Sequence, residues 1–152
     1  MLLQNAWCYV REDERGLDWD DPLPREIEND FQSWLEKLKM ASKLQMLRYL
    51  FHELTEPPNP KNLFLHVFSD AAIKAYGIVA YVRYYCAKQN QFLSKVIYSC
   101  TRIAPTKAKL SIPKKELNGL LLACQKAEYV RNILKINKGN VYIHCDSLVS
   151  LY

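Results

Sequence analysis

Three runs rich in Val, Ile, Tyr and Phe, Leu63–Ser69, Gly77–Tyr85 and Phe92–Thr101, follow one another with only short polar connections. Such residues suit a pleated, half-buried surface, and connections this short join antiparallel neighbours. The spacing therefore predicts a three-strand meander. A basic stretch, TRIAPTKAKLSIPKK, leads into PKKELNGLLLACQKAEYVRNIL, a long helix with Pro113 in its first turn. After the loop NKGN, VYIHCD reads as a fourth strand ending in Asp146, and SLVSLY as the first turns of another helix that Ser147 can cap. A strand that returns through a crossover helix lies parallel to the strand before it, so the first and fourth strands are expected to pair. The fold class is α/β (an α+β mixed sheet), with its ligand site expected at the carboxyl ends of the parallel strands.

The part that precedes the strands differs in kind. Residues 20–50 read as one long helix: Pro22 and Pro24 suit its start, Glu26, Glu28 and Asp30 favour its positive end, and Phe31, Trp34, Leu35, Leu38 and Ala41 recur at helical spacing. Three prolines in HELTEPPNPKN, residues 52–62, break the chain, which divides it into a helical connection segment, 1–60, and a strand-bearing domain, 61–152. Charge divides at the same place. Residues 1–60 carry 7 Lys and Arg against 12 Asp and Glu, a net of −5, whereas residues 61–152 carry 14 against 4, a net of +10. A body that basic attracts a polyanion, most commonly nucleic acid. Five well-separated cysteines with no C-x-x-C pair indicate neither a disulfide framework nor a zinc site. No apolar run approaches the ~20 residues of a membrane span, so an intracellular, cytoplasmic chain with no membrane partner is expected.

With only four acids in the basic part, their positions carry weight. Asp70 ends the first strand, Asp146 ends the fourth, and Glu116 sits in the first turn of the long helix. Glu116, Leu120, Ala123, Ala127, Val130 and Leu134 fall on one helical stripe, which places a carboxylate on the face that packs. If the first and fourth strands are neighbours, the three carboxylates meet at one sheet end. Like charges held so close raise one another's pKa unless a cation joins them, and a hard ion such as Mg²⁺, or Mn²⁺, prefers oxygen donors. Surrounded by bases that hold phosphates, such a site suits two-metal attack of water on a phosphodiester, with Asp70, Glu116 and Asp146 as catalytic and metal-binding residues. Glu128 lies well along the helix and is expected on a solvated face.

These residues carry a resemblance. SDAAIKAYG, TRIAPTKAKLSIPKKEL and CDS resemble the ribonuclease H-like domain of Pao/BEL-type retrotransposon polyproteins, a family also labelled Pao retrotransposon peptidase. In that family a D-A-S-x-x-A-Y-G strand, a T-I-P-R-x-E-L helix start and a T-D-S strand end carry the first three metal-binding carboxylates, which fall on Asp70, Glu116 and Asp146. The segment with WDDPLP and the long helix resembles the connection between the reverse transcriptase and this domain. Ala72, Lys114, Lys115 and Cys145 depart from the usual residues without removing a carboxylate. The family's further helices, fifth strand and fourth acid have no counterpart before Tyr152, which implies a C-terminally truncated domain, inactive by itself. The resemblance implies hydrolysis of the RNA strand of RNA/DNA hybrids during reverse transcription. It also implies Mg²⁺ or Mn²⁺ as cofactor, the hybrid, the reverse transcriptase and other parts of the polyprotein as partners, and virus-like particles as one cytoplasmic location.

The alternative function is an inactive remnant that binds nucleic acid or a protein partner. Phosphate contacts through Arg102, Lys107, Lys109, Lys114 and Lys115 would survive loss of the fourth acid and would weaken with salt. A purely structural role would leave Trp34 and Leu38 facing a partner. Aspartic peptidase chemistry is disfavoured, because SDAA and CDSL lack the glycine of D-T/S-G. Cys145 beside His144 is no better a nucleophile pair, since adjacent strand residues point to opposite faces. His66 and His144 without a third ligand are expected to be ordinary sheet residues.

Overall fold

The structure is a computed structural model that describes residues 6, 9, 20–45, 47, 49–54, 56–105 and 110–147. Two compact units divide the chain, Met1–Leu47 and Arg48–Tyr152. In the first, helix α1 spans Arg25–Ala41. Glu26 and Glu28 lie in its first turn, and the rings of Phe31 and Trp34 stack with centroids 5.7 Å apart. This helix ends well before residue 50. The Ser42 amide still makes a helical bond to the Leu38 carbonyl (2.9 Å) and its hydroxyl donates to the Lys39 carbonyl (2.7 Å), while the Lys43 and Leu44 amides turn back to the Met40 and Ala41 carbonyls at 3.2 and 3.0 Å, a tighter last turn that satisfies the final carbonyls.

The second unit is built on one four-stranded sheet. Strands β1 (Leu63–Ala71), β2 (Ala75–Cys86), β3 (Gln91–Ile103) and β4 (Val141–Cys145) lie in the order β3-β2-β1-β4. β1 pairs antiparallel with β2 and β2 with β3, whereas β1 and β4 run parallel. Helix α2, Ile112–Leu134, makes the crossover and packs against β1, β2 and β4. With this mixed sheet and its helices the chain has the α/β class and the ribonuclease H-like layout expected of it. The helix expected over SLVSLY falls mostly outside the described residues.

Alternation along the strands decides which face is core. Leu63, Leu65 and Val67 of β1 and Tyr76, Ile78, Ala80 and Val82 of β2 are buried against Leu122, Ala123, Ala127 and Val130 of α2. Phe51, which precedes the proline-rich break, joins this core and meets the Tyr84 ring at 5.9 Å, while Glu53 pairs with Lys95. Ile97 is an extra residue in β3, because Ala80 aligns with Tyr98 while Tyr81 aligns with Val96. That bulge exchanges the two faces of β3 beyond it and brings Phe92 and Ser94 to the face away from α2. Asn140 fixes the β1–β4 register by donating from one side-chain nitrogen to the Lys61 and Leu63 carbonyls, both at 3.0 Å. Among the described residues no helix is long and apolar enough to cross a membrane, and the four described cysteines are free thiols.

Tyr76 has an unpartnered hydroxyl in this core: the residue is 5% exposed and its oxygen makes no hydrogen bond. A buried hydroxyl with no partner costs free energy that phenylalanine would not. Tyr76→Phe is therefore expected to raise stability by about 1 kcal/mol, read as a higher urea midpoint at unchanged slope. A lower midpoint would mean that the hydroxyl has a partner.

Candidate functional site

The carboxylates are placed by the sheet before any side chain is considered. In the parallel pair, Ser69 aligns with Cys145, so Asp70, the next residue of β1, and Asp146, the first residue beyond β4, follow the last aligned pair. Both are exposed, at the carboxyl ends where parallel strands present ligand sites. Glu116 is the fifth residue of α2, one step beyond the expected first turn because the helix already begins at Ile112, and it is half-buried. Its carboxyl is pushed above the usual carboxylate range, first by partial burial and then by the negative charges of Asp146 and Asp70. The helix thus brings the third acid into the field of the other two. The three converge without closing: among the described residues no group of three His, Cys, Asp or Glu encloses a space that could hold a metal ion. Glu128, the fourth acid of the basic part, sits apart. It is exposed and bound by Arg131 through two bonds of 2.9 and 2.6 Å, which hold its carboxyl down at about 2.

The partial burial of Glu116 and the charge repulsion beside it have a pH signature. A carboxyl raised in the folded state binds its proton more tightly there than in the unfolded chain, so stability falls as pH rises from the ordinary range, about 4.3, to the raised value. Glu116→Gln removes that loss. The variant is expected to melt above the native chain at neutral pH, with the gap closing near pH 4, which a series of thermal melts would read. A gap independent of pH would assign the change to packing.

Basic residues surround the same end. Arg102, exposed near the end of β3, aligns across the sheet with Tyr76 and through it with Ala71, one step from Asp70. Lys114 is exposed in the first turn of α2, and Lys115 beside it donates from Nζ to the Ile73 carbonyl at 3.0 Å. Lys107 and Lys109 lie outside the described residues.

Sequence reasoning missed the open face of the sheet. His66, Phe68, Val79, Tyr81, Arg83, Phe92 and Ser94 line a shallow recess there. The Arg83 guanidinium stands 3.7 Å from the Phe92 ring centroid, and His66 and His144 are joined by a 3.1 Å Nδ1···Nε2 hydrogen bond. Burial, then His144 and Arg83, push the His66 pKa down. The aromatic signal was in the alternation of Phe64, His66 and Phe68, but the β3 bulge that adds Phe92 left no mark in the sequence pattern.

Compared with known proteins, residues 1–147 match the family model described as the Pao retrotransposon-like RNaseH-like domain. No curated protein and no solved structure matches the chain.

Proposed function

The chain belongs to the Pao retrotransposon-like RNaseH-like domain family, and from that premise we propose that it serves metal-dependent hydrolysis of the RNA strand of RNA/DNA hybrids. The observation that carries the reading is the convergence of Asp70, Glu116 and Asp146, three of the four acids of the basic part, at one sheet end. Their donor set fits Mg²⁺ or Mn²⁺: all donors are hard oxygens, and their mutual repulsion is what a divalent ion would relieve. When bound, such an ion would supply an activated water and neutralise charge developing on the phosphate. Asp70 and Asp146 would hold it from the sheet and Glu116 from the helix. Arg102 can take a phosphate with two parallel N–H bonds, whereas Lys107, Lys109, Lys114 and Lys115 act as point charges along the backbone. One proton of Lys115 is already engaged at Ile73, and the ammonium keeps its other donors. Recognition through phosphates and 2′-hydroxyls predicts little dependence on base sequence.

The test is cleavage of an end-labelled RNA/DNA hybrid in Mg²⁺ and in Mn²⁺ by the chain, by its Asp70→Asn variant and by any longer in-frame product of its gene. Metal-dependent cutting of the RNA strand, abolished by Asp70→Asn, supports the proposal. Tight, salt-sensitive hybrid binding without cutting by any form would replace it with a binding role.

A further inference from the structure

The turn that follows Asp70 is held from three directions. Within Ala72–Lys74, the Ala72 amide donates to the Ala75 carbonyl at 2.9 Å, and the Lys74 carbonyl accepts from the Ala104 amide at 2.9 Å, just past β3. The Ile73 carbonyl accepts from Lys115 Nζ, which ties the turn to the first turn of α2. One helical turn further on, Gly119 is buried against β1. A Cβ built on Gly119 would stand 3.1 Å from the Ala71 Cβ and 3.9 Å from its Cα. Glycine is the poorest helix former short of proline, so its place inside a long helix calls for a reason. Close approach supplies one: the opposing atom is fixed to a strand backbone and cannot rotate away, so a Cβ at 119 is accommodated only if helix and strand part by a few tenths of an ångström, and a larger side chain needs more.

Glu116 and Gly119 are three residues apart and share a helix face, and Ala71 is the residue after Asp70. The contact that sets the height of α2 over β1 therefore also sets the distance from Glu116 to Asp70 and Asp146. We infer that Gly119 and Lys115 are positioning residues: Gly119 lets α2 settle onto Ala71, and Lys115 fastens the helix start to the turn behind Asp70, so that three carboxylates on separate elements converge. This rests on the reading that those carboxylates bind a divalent cation. Lys115 then acts on the cation in a direction opposite to its charge. An ammonium near a cation site repels the ion, but this one brings the ligands together.

That opposition makes the test decisive. The free Mn²⁺ signal in electron paramagnetic resonance measures Mn²⁺ affinity for the native chain, Lys115→Met, Lys115→Arg, Gly119→Ala, Gly119→Val and the double variant Gly119→Ala with Ala71→Gly. Lys115→Met is expected to weaken Mn²⁺ binding by about tenfold, the loss typical when a group that orients metal ligands is removed, and Lys115→Arg to restore most of it. Gly119→Val should weaken binding at least as much and Gly119→Ala less. Ala71→Gly should recover the Gly119→Ala loss by removing the opposing Cβ. Tighter binding by Lys115→Met, or unchanged binding by folded Gly119 variants, overturns the inference. If the native chain takes up no Mn²⁺, the cation reading fails separately, and the amide resonances of residues 70–74 decide the positioning role. Their displacement in Gly119→Ala and return in the double variant keep it, and unmoved resonances overturn it.

Discussion

Asp70→Asn is expected to remove the response of this protein to Mg²⁺ while leaving its affinity for an RNA/DNA hybrid intact. The substitution keeps the shape of the side chain and the hydrogen bonding of the strand end, and deletes one charge from a group of three. Without metal, the variant should melt at or slightly above the native temperature at neutral pH, because Glu116 loses one of the charges that repel it. With Mg²⁺ at a hundred times its dissociation constant, the native chain gains roughly 2.7 kcal/mol from binding, and the variant should gain little of it. Metal-dependent cutting of the RNA strand, where present, should fall by about a thousandfold, since a metal's contribution to the transition state is worth several kcal/mol. In the proposed function hybrid binding would rest on Lys and Arg contacts to phosphates, so its affinity and its salt slope should stay as they were. An equal rise in melting temperature with Mg²⁺ in both proteins would remove Asp70 from the metal site.

Much of this site was legible because it depends on order along the chain. Three strand-like runs, a helix and a fourth strand leave few arrangements of β1 and β4, and any parallel pairing that keeps Leu65 and Val67 inward brings Asp70 and Asp146 to the same end. The helix was read less well. Ala123, Ala127 and Val130 are core as the periodicity predicts, but Leu120 is only half-buried while Gly119 and Leu122 are buried. The stripe is turned toward Gly119 because the helix comes closest to the sheet where it has no side chain, and periodicity of apolar residues does not register a glycine. The proline break assigns Phe51 to the segment before it, yet Phe51 is core of the sheet unit, since three prolines mark a change of backbone direction without deciding which side a neighbouring ring packs on. The end of α1 at Ala41 is a change to tighter bonds, Lys43 to Met40 and Leu44 to Ala41, which the spacing of apolar residues does not register.

Leu65→Ala is expected to be the most damaging of the single changes considered for the fold. Leu65 is fully buried in β1, the one strand flanked on both sides by others that also carries a candidate ligand, with Val82 beside it in β2 and Val141 in β4. Truncation removes its contacts with the α2 face and leaves a cavity that strands paired on both edges cannot collapse to fill. The cost should be about 3 kcal/mol, and for a unit of this size the melting temperature should drop by roughly 10 °C or more. Phe68, three residues on, is the internal control. It is larger, but it lies on the opposite face and is 43% exposed, stacked on His144 at 4.5 Å and edge-on to Tyr81 at 5.8 Å. Phe68→Ala should therefore cost only about 1 kcal/mol, the scale of aromatic pair contacts. The comparison also separates the stability of β1 from the ligands it carries. At temperatures where both variants are folded, each keeps Asp70, Glu116 and Asp146 and should keep the native melting shift with Mg²⁺. A loss of that shift in Leu65→Ala alone would mean that β1 no longer holds its register with β4, because a slip of one residue is enough to take Asp70 out of line with Asp146.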